Sequence, residues 1–307
     1  MDWRAEIRAA AKRIEGYVVK TPTLISHSLG LTYPVALKFE HMQHTGSFKP
    51  RGAFNTLILE GAPEAGIVAA SGGNHGAAAA YAAKSLGHKA RIYVPEVAGP
   101  AKISLIQAIG ADLQVVTGLY SDALIQAKKW ETKTGARQVH AYDTVATVSG
   151  QGSLALEWED QGLKADTLLI AVGVGGLIAG SAAWFQGEKK IIAVEPETSC
   201  ALNTAIEQGC PTDVDVSGVA VNALGAKKIG KICYDLALET GVQSVLVSDA
   251  AILDAQNLLW RSHRQLVEPA GATALAALIS GAYKPSITEK VAVLVCGANI
   301  EPDPLPL

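Results

Sequence analysis

The run LLIAVGVGGLIAGSAAW, residues 168–184, decides what kind of fold this chain can have. Its 17 residues carry no charge, yet they are few for a membrane span and are interrupted by Gly173, Gly175, Gly176 and Gly180. Leu168–Val172 reads as a buried strand, the glycines as a tight turn, and Leu177–Phe185 as the helix that follows. The same alternation extends in both directions. Further strands are expected at Gly66–Ala70, Arg91–Pro95, Leu113–Val116, Gln138–Ala141, Ile191–Glu195, Val245–Val247 and Val291–Val295. Helices are expected at Asn74–Leu86, Ala101–Ile109, Asp122–Thr134, Gly152–Glu159, Asp249–His263 and Ala270–Ser280. Strand–helix alternation of this kind predicts an α/β fold of open, mostly parallel twisted sheets flanked by helices. About eight strands are many for one small sheet, so two α/β domains are expected. Pro211–Lys231, polar and weakly periodic, reads as an irregular connection.

At 307 residues the chain is long enough for a sizeable core, and 49% hydrophobic against 18% charged residues marks it as globular. Lys and Arg number 26 against 29 Asp and Glu, a balance of −3, with no basic block. Nucleic acid is therefore not an expected partner. The N-terminal MDWRAEIRAAAKRIEG has the pattern of a charged amphipathic helix, not of a signal peptide. Cys200, Cys210, Cys233 and Cys296 show no metal spacing and read as reduced thiols, which points to the cytoplasm.

In α/β sheets, ligands collect where strand C-termini meet helix N-termini. Four such places carry unusual residues. The first is His44-Thr45-Gly46-Ser47-Phe48-Lys49-Pro50-Arg51-Gly52-Ala53. Here Ser47 is the expected N-cap of a helix with Pro50 in its first turn. Helix dipole, the neighbouring Arg51 and burial would all push the Lys49 ammonium towards a neutral amine, the form that Schiff-base chemistry needs. The second is Ser71-Gly72-Gly73-Asn74-His75-Gly76, a strand-to-helix turn suited to a carboxylate or phosphate. The third is Val172-Gly173-Val174-Gly175-Gly176-Leu177, whose glycine density suggests a backbone-lined phosphate pocket. A dinucleotide fold competes there, because Glu195 lies about 20 residues on, where a ribose-binding acid would stand. G-x-G-x-x-G fails, however, since its third glycine would fall at Ile178, and no Gly-Lys-Ser/Thr follows for a P-loop. The fourth is Val295-Cys296-Gly297-Ala298-Asn299, at the end of the last strand.

Together these motifs resemble the fold-type-II pyridoxal-phosphate enzymes, specifically the threonine/serine dehydratase and serine racemase group. The likeness runs through Thr21-Pro22, the Ser47–Ala53 block, the Ser71–Gly76 loop, Gly150-Gln151-Gly152, the glycine loop, Glu268-Pro269 and Cys296–Asn299. It implies a tryptophan-synthase-β-like architecture with the cofactor, pyridoxal 5'-phosphate, in the cleft between two domains. Residues 1–65 and 144–307 would form the large cofactor-binding domain and 66–143 the small one. Lys49 would hold the cofactor covalently and serve as the base at Cα. Phe48 would pack on the ring, Asn74 would bond its 3-hydroxyl, and Gly173, Val174, Gly175, Gly176 and Leu177 would hold the phosphate. Cys296 would face the pyridine nitrogen. Ser71, Gly72, Gly73 and His75 would receive the substrate carboxylate. A homodimer acting on a small amino-acid substrate is the family-level expectation.

The thiol at Cys296 is a weak neutral donor, not a carboxylate that keeps the pyridine nitrogen protonated. The resulting weaker electron sink suits loss of a β-hydroxyl as the Cα proton leaves. The expected reaction is dehydration of a β-hydroxy amino acid such as L-threonine or L-serine to a 2-oxo acid and ammonia. The alternatives are a serine or amino-acid racemase, a 3-hydroxyaspartate or phenylserine dehydratase, a β-replacement synthase, a non-catalytic binding module and, distantly, a Rossmann NAD-dependent oxidoreductase. Gly72 stands where racemases carry a second Ser used as a base, which favours dehydration. Ala201 stands where metal-dependent members carry a carboxylate, so no metal site is expected. Termination at Leu307 leaves no room for the regulatory domain of biosynthetic threonine dehydratases. The pocket wall is expected to draw on His41–Thr45, Tyr142-Asp143 and Pro211–Lys231. His44, His263 and Trp260 read as solvated or packing residues.

Overall fold

The computed structural model describes residues 1–71, 73–118 and 120–300, with backbone only at Val97 and Ala101. In chain order the strands begin with β1 (Thr23–Ser26), β2 (Val35–Phe39), β3 (Ile67–Ala70), β4 (Ala90–Pro95) and β5 (Asp112–Val116). They continue with β6 (Arg137–Gln138), β7 (Thr167–Ala171), β8 (Lys190–Pro196), β9 (Gln243–Val247) and β10 (Val291–Val295). The helices are α1 (Trp3–Arg13), α2 (Lys49–Glu60), α3 (Asn74–Ser85), α4 (Pro100–Ile109), α5 (Tyr120–Thr134) and α6 (Val145–Asp160). After them come α7 (Gly176–Phe185), α8 (Ala201–Gln208), α9 (Val221–Leu224), α10 (Lys231–Thr240), α11 (Asp249–His263) and α12 (Pro269–Ile279).

Two sheets organise these elements. The larger has the order β1-β2-β10-β7-β8-β9, parallel except for the β1–β2 pair, and the smaller has the order β5-β4-β3-β6, parallel throughout. β10 lies between β2 and β7, with Val291 opposite both Val35 and Thr167. Every residue of β3, β7 and β10 is buried, as expected of parallel strands covered on both faces. The uncharged run 168–184 is thus β7, its glycine turn and most of α7, and α7 is buried along its whole length. Among the described residues no helix is long and apolar enough to cross a membrane.

Several elements differ from the sequence reading. β1 and β2 were not expected, because β2 carries a fully buried lysine, Lys38, inside a short apolar run. β6 ends at Gln138, since the chain then turns so that Val139 O meets His75 and Ala141 O meets Lys49. α6 begins at Val145, seven residues earlier than expected, capped by Thr144, whose Oγ1 accepts from Thr147 N at 3.2 Å. Gly150 and Gly152, which looked like a helix boundary, are places where neighbouring helices touch. A Cβ on Gly150 would stand 2.7 Å from Arg51 O, and one on Gly152 3.0 Å from Gly180 O. α2 and α7 can approach α6 this closely because those side chains are missing. The connection 211–231 is irregular as expected, apart from the short α9.

Candidate active site

Ser47 does not cap α2. Its backbone is extended (φ −159°, ψ 165°) and forms an antiparallel bridge with Gly297, so Phe48 opens the helix without any side-chain cap. Phe48 N donates to Cys296 O at 3.3 Å and Ala298 N to Gly46 O at 2.8 Å. These bonds tie the start of α2 to the chain leaving β10 and bring Lys49 and Cys296 into one site.

The Lys49 amine sits 3.4 Å from Ala141 O and 4.9 Å from the centroid of the Phe48 ring. Burial lowers its pKa to about 8, against the opposing pull of Cys296 and Glu268. Arg51 plays no part in this shift. Its guanidinium turns the other way, to Glu40 Oε1 at 2.5 Å and Glu157 Oε2 at 2.8 Å.

Asn74 opens α3 and is held from both sides. Its Nδ2 donates to Glu268 Oε1 at 2.5 Å, and its Oδ1 accepts from Asn299 Nδ2 at 2.8 Å. Burial raises the Glu268 carboxyl, with Lys102, Asn74 and Lys49 pulling the other way. Gly297 cannot carry a side chain, because a Cβ would collide with Glu268 Oε1. Sequence reasoning quoted Glu268 without giving it a function; the usable signal was a Glu-Pro pair at a helix start. Cys296 is buried, and its thiol faces Ala270 O at 3.4 Å. Burial, reinforced by Glu268, pushes its pKa up to about 12, so the sulfur is a neutral thiol.

The loop 71–76 is less open than the sequence suggested, and Gly72 lies outside the described residues. Ser71 Oγ accepts from Gly73 N at 3.2 Å, which closes the turn on itself. His75 Nε2 is 2.8 Å from Val139 O; burial, with the Lys49 charge, lowers its pKa to about 3. It is a neutral ring at any working pH. Beside Ala141 lies a cavity of about 420 Å³, lined by His75, Tyr120, His140, Tyr142 and Asp143 among others. His44 packs its ring on Tyr81 at 4.9 Å, and His263 bonds Ser26, so neither enters this cluster.

The glycine loop is clamped from behind. A Cβ on Gly173 would meet Leu224 Cα at 2.8 Å, one on Gly175 would collide with Cys233 Sγ, and one on Gly176 would meet Tyr142 Cβ at 3.4 Å. Gly175 also has φ +94°, the left-handed region that glycine alone occupies freely. Among the described residues no backbone carbonyl takes the N–H groups of Gly173, Val174, Gly175, Gly176 or Leu177. Free N–H groups around the start of a ten-residue helix suit an anion.

Glu195 is not part of it. Its carboxylate accepts from Leu202 N at 2.8 Å and Asn203 N at 2.7 Å, at the start of α8. The acid required by a dinucleotide reading therefore caps a helix instead. Burial raises Glu195 to about 7. A raised carboxyl favours the folded state fully below its unfolded pKa of about 4.3, and that contribution is lost as pH rises towards 7. Between pH 5 and 7 this component opposes the rise in stability that the lowered His75 supplies. In denaturant titrations Glu195→Gln should therefore make stability climb more steeply with pH over that range, and an unchanged slope would show that Glu195 does not titrate there.

A family model described as "Pyridoxal-phosphate dependent enzyme" matches residues 14–297. The chain belongs to the pyridoxal-phosphate dependent enzymes. It is 32% identical to the phenylserine dehydratase of Ralstonia pickettii over 272 residues, 87% of this chain and 83% of that one. The solved structure of maize serine racemase superposes with a TM-score of 0.91 at 29% identity, covering 97% of this chain and 94% of the other. The threonine deaminase of T.th. gives 0.90 at 32% identity, covering 98% and 99%. This pyridoxal-phosphate enzyme has side chains and backbone that fit its cofactor. Among the described residues the N–H groups of 173–177 have no backbone acceptor, which suits a phosphate. Lys49 is a largely desolvated amine with a lowered pKa, and Asn74 is oriented by Glu268 and Asn299.

Proposed function

We propose that this enzyme is a dehydratase that removes water from a β-hydroxy amino acid such as L-threonine or L-serine. Hydrolysis of the resulting enamine gives a 2-oxo acid and ammonia. Bound pyridoxal phosphate supplies the electron sink that makes the substrate's Cα–H acidic. Lys49 would hold the cofactor and then take the Cα proton on Nζ, a task suited to an amine whose pKa is about 8. Phe48 would cover the ring, Asn74 would orient the 3-hydroxyl, and residues Gly173, Val174, Gly175, Gly176 and Leu177 would fix the phosphate. Ser71, Gly72, Gly73 and His75 would line the carboxylate end of the substrate.

The observation that carries the choice of reaction is the neutral Cys296 thiol facing Ala270 O. A thiol with a pKa near 12 cannot keep a pyridine nitrogen charged as a carboxylate would, so prompt loss of the β-hydroxyl is favoured over a long-lived carbanion. Gly72 offers no second base for racemisation. The names of relatives, a phenylserine dehydratase and a threonine deaminase among them, support the same class. Within this reading residues 1–65 and 144–307 form the cofactor-bearing unit and 66–143 the smaller one, consistent with the smaller sheet drawing its strands from 67–138. The enzyme would act in the cytoplasm as a homodimer; a concentration-independent monomer mass in light scattering would reject the dimer.

The test is a visible spectrum of the purified protein, followed by separate additions of L-threonine, L-serine, 3-hydroxyaspartate and phenylserine. A yellow cofactor band with release of ammonia and a 2-oxo acid is expected. Interconversion of enantiomers without ammonia would establish the racemase instead.

A further inference from the structure

The amide of Asn74 is one link in a chain of hydrogen bonds that starts at a strained residue. Thr45 is β-branched, yet it has φ +60° and ψ 15°, in the left-handed region. Such a backbone persists only where its surroundings hold it. Here the Thr45 carbonyl accepts from Asn299 Nδ2 at 2.8 Å, and Gly46 O accepts from Ala298 N at 2.8 Å. Gly46 lies so close that a Cβ on it would stand 2.6 Å from Asn299 Oδ1. The loop before Lys49 is therefore fastened to the Asn299 side chain beyond β10.

Which end of an amide is nitrogen follows from what its partners can do. Thr45 O can only accept, so it takes one hydrogen of Asn299 Nδ2. The second hydrogen of the same nitrogen goes to Asn74, 2.8 Å away, and Asn74 must answer with Oδ1. The Asn74 nitrogen is then turned to the other side, where one hydrogen goes to Glu268 Oε1 at 2.5 Å. This order is dictated from the Thr45 end, whatever the charge on Glu268. One N–H of Asn74 remains, and it has no acceptor among the described residues. Asn74 Nδ2 is 3.4 Å from where a Cβ on Gly297 would stand, so the amide lies beside the residue that follows Cys296. The group left free at the cofactor site is thus a donor, not an acceptor.

We propose that Asn299 is a positioning residue, which holds the Asn74 amide with its N–H towards the 3-oxygen of the cofactor and so keeps that oxygen free of its proton. The proposal rests on the assignment of Asn74 to that oxygen made above, and not on the identity of the substrate. A donor favours the anionic form of the atom that it faces. In pyridoxal phosphate held by a lysine, one proton is shared between the lysine nitrogen and the 3-oxygen. With the proton on nitrogen the protein absorbs in the visible; with it on oxygen, in the near ultraviolet. The ratio of the two bands therefore reads the direction of the Asn74 amide.

The test compares absorption spectra at neutral pH of the wild type, Asn299→Asp, Asn299→Leu and Asn74→Ala, each loaded with pyridoxal phosphate. The carboxylate introduced by Asn299→Asp has no hydrogen for Thr45 O or Asn74 Oδ1, and it draws the Asn74 N–H groups to itself. The ratio of visible to near-ultraviolet absorbance should fall about tenfold, the worth of about one hydrogen bond. Asn299→Leu removes the donors without adding an acceptor and should lower the ratio about threefold. In the Asn74→Ala background, Asn299→Asp should change the ratio no further, because the effect runs through that amide.

A merely structural Asn299 would lower cofactor content or Tm and leave the ratio unchanged, and that result overturns the proposal. So does a full additional fall when Asn299→Asp is added to Asn74→Ala. Should Asn299→Asp not fold, Asn299→Leu carries the same comparison. A wild-type ratio in Asn74→Ala would overturn the assignment of Asn74 itself, and the proposal with it. None of these spectra requires turnover, so failure to find a hydroxy amino acid that is dehydrated would leave the role of Asn299 decided on its own.

Discussion

Replacing Lys49 with Met should lower turnover by about 10³-fold or more and at the same time make the cofactor-free protein more stable. The activity loss follows from removing the amine that holds the cofactor and moves the Cα proton. The gain in stability follows from burial. Folding takes the amine from an unperturbed pKa of 10.5 to about 8, so below pH 8 the folded state must keep a proton on a partly buried group. The group's contribution to stability is therefore present above the unfolded pKa and lost as pH falls through 8. At pH 7 methionine, similar in length and uncharged, should recover about 1–3 kcal/mol and raise the apoprotein Tm by about 5 °C. The gain should disappear above about pH 10. A variant that loses the yellow band and is also less stable at pH 7 would mean that the amine is well solvated or well paired in the native site.

The second large effect is expected two residues further on. Arg51, Glu40, Lys38 and Thr21 are all essentially buried, and Glu157 completes the group. Arg51 pairs with Glu40 and Glu157, Lys38 Nζ is 2.5 Å from Glu157 Oε1, and Thr21 Oγ1 donates to Glu40 Oε2 at 2.7 Å. Arg51→Met leaves two carboxylates facing one ammonium. Breaking a buried pair in this way costs about 3–5 kcal/mol, whereas replacing all its members with apolar groups can be near neutral. Burial on its own would raise Glu157, but Arg51 and Lys38 more than offset it and hold the carboxyl low. Its stabilisation is present above the unfolded pKa and is lost as pH falls. The deficit of the variant should thus be greatest near neutrality and shrink below about pH 4.5. Thermal unfolding from pH 4 to 8 measures it. A loss under about 1 kcal/mol at pH 7 would show that the neighbouring groups rearrange or take up water.

The parallel strands and the helices that follow them could be read directly, because strands buried on both faces spell continuous apolar runs and glycines punctuate their ends. The four chemical stretches were legible from their residues, and three of them follow strands that were expected. What escaped reading depended on partners far away in sequence. Lys38 hid β2 because its counter-charge comes from α6. Ser47 looked like a cap because nothing nearby announces its bridge to Gly297. Glu195 sat at the spacing of a ribose acid, while its acceptors are engaged by backbone that arrives seven and eight residues later. Gly152 was expected to open a helix, and its purpose, like that of Gly150, appears only when α2 and α7 are laid against α6. Lys102 gave no sign of being buried, since the Glu268 carboxylate it faces comes from far along the chain.

The position of β10 bears on how the enzyme is made. The smaller sheet is drawn from one continuous stretch and needs only nearby residues to form. The larger sheet cannot close until its last strand in sequence, which is interior in space, slides between β2 and β7. During synthesis the β1–β2 pair and the β7-β8-β9 group therefore wait as separate halves, each with an open apolar edge. Such non-local closure is slow and leaves those edges available to chaperones or to other copies. The same insertion delivers Cys296 and Gly297 to the start of α2, so the nascent chain holds no assembled site. Closing the larger sheet and completing the site are thus parts of one event.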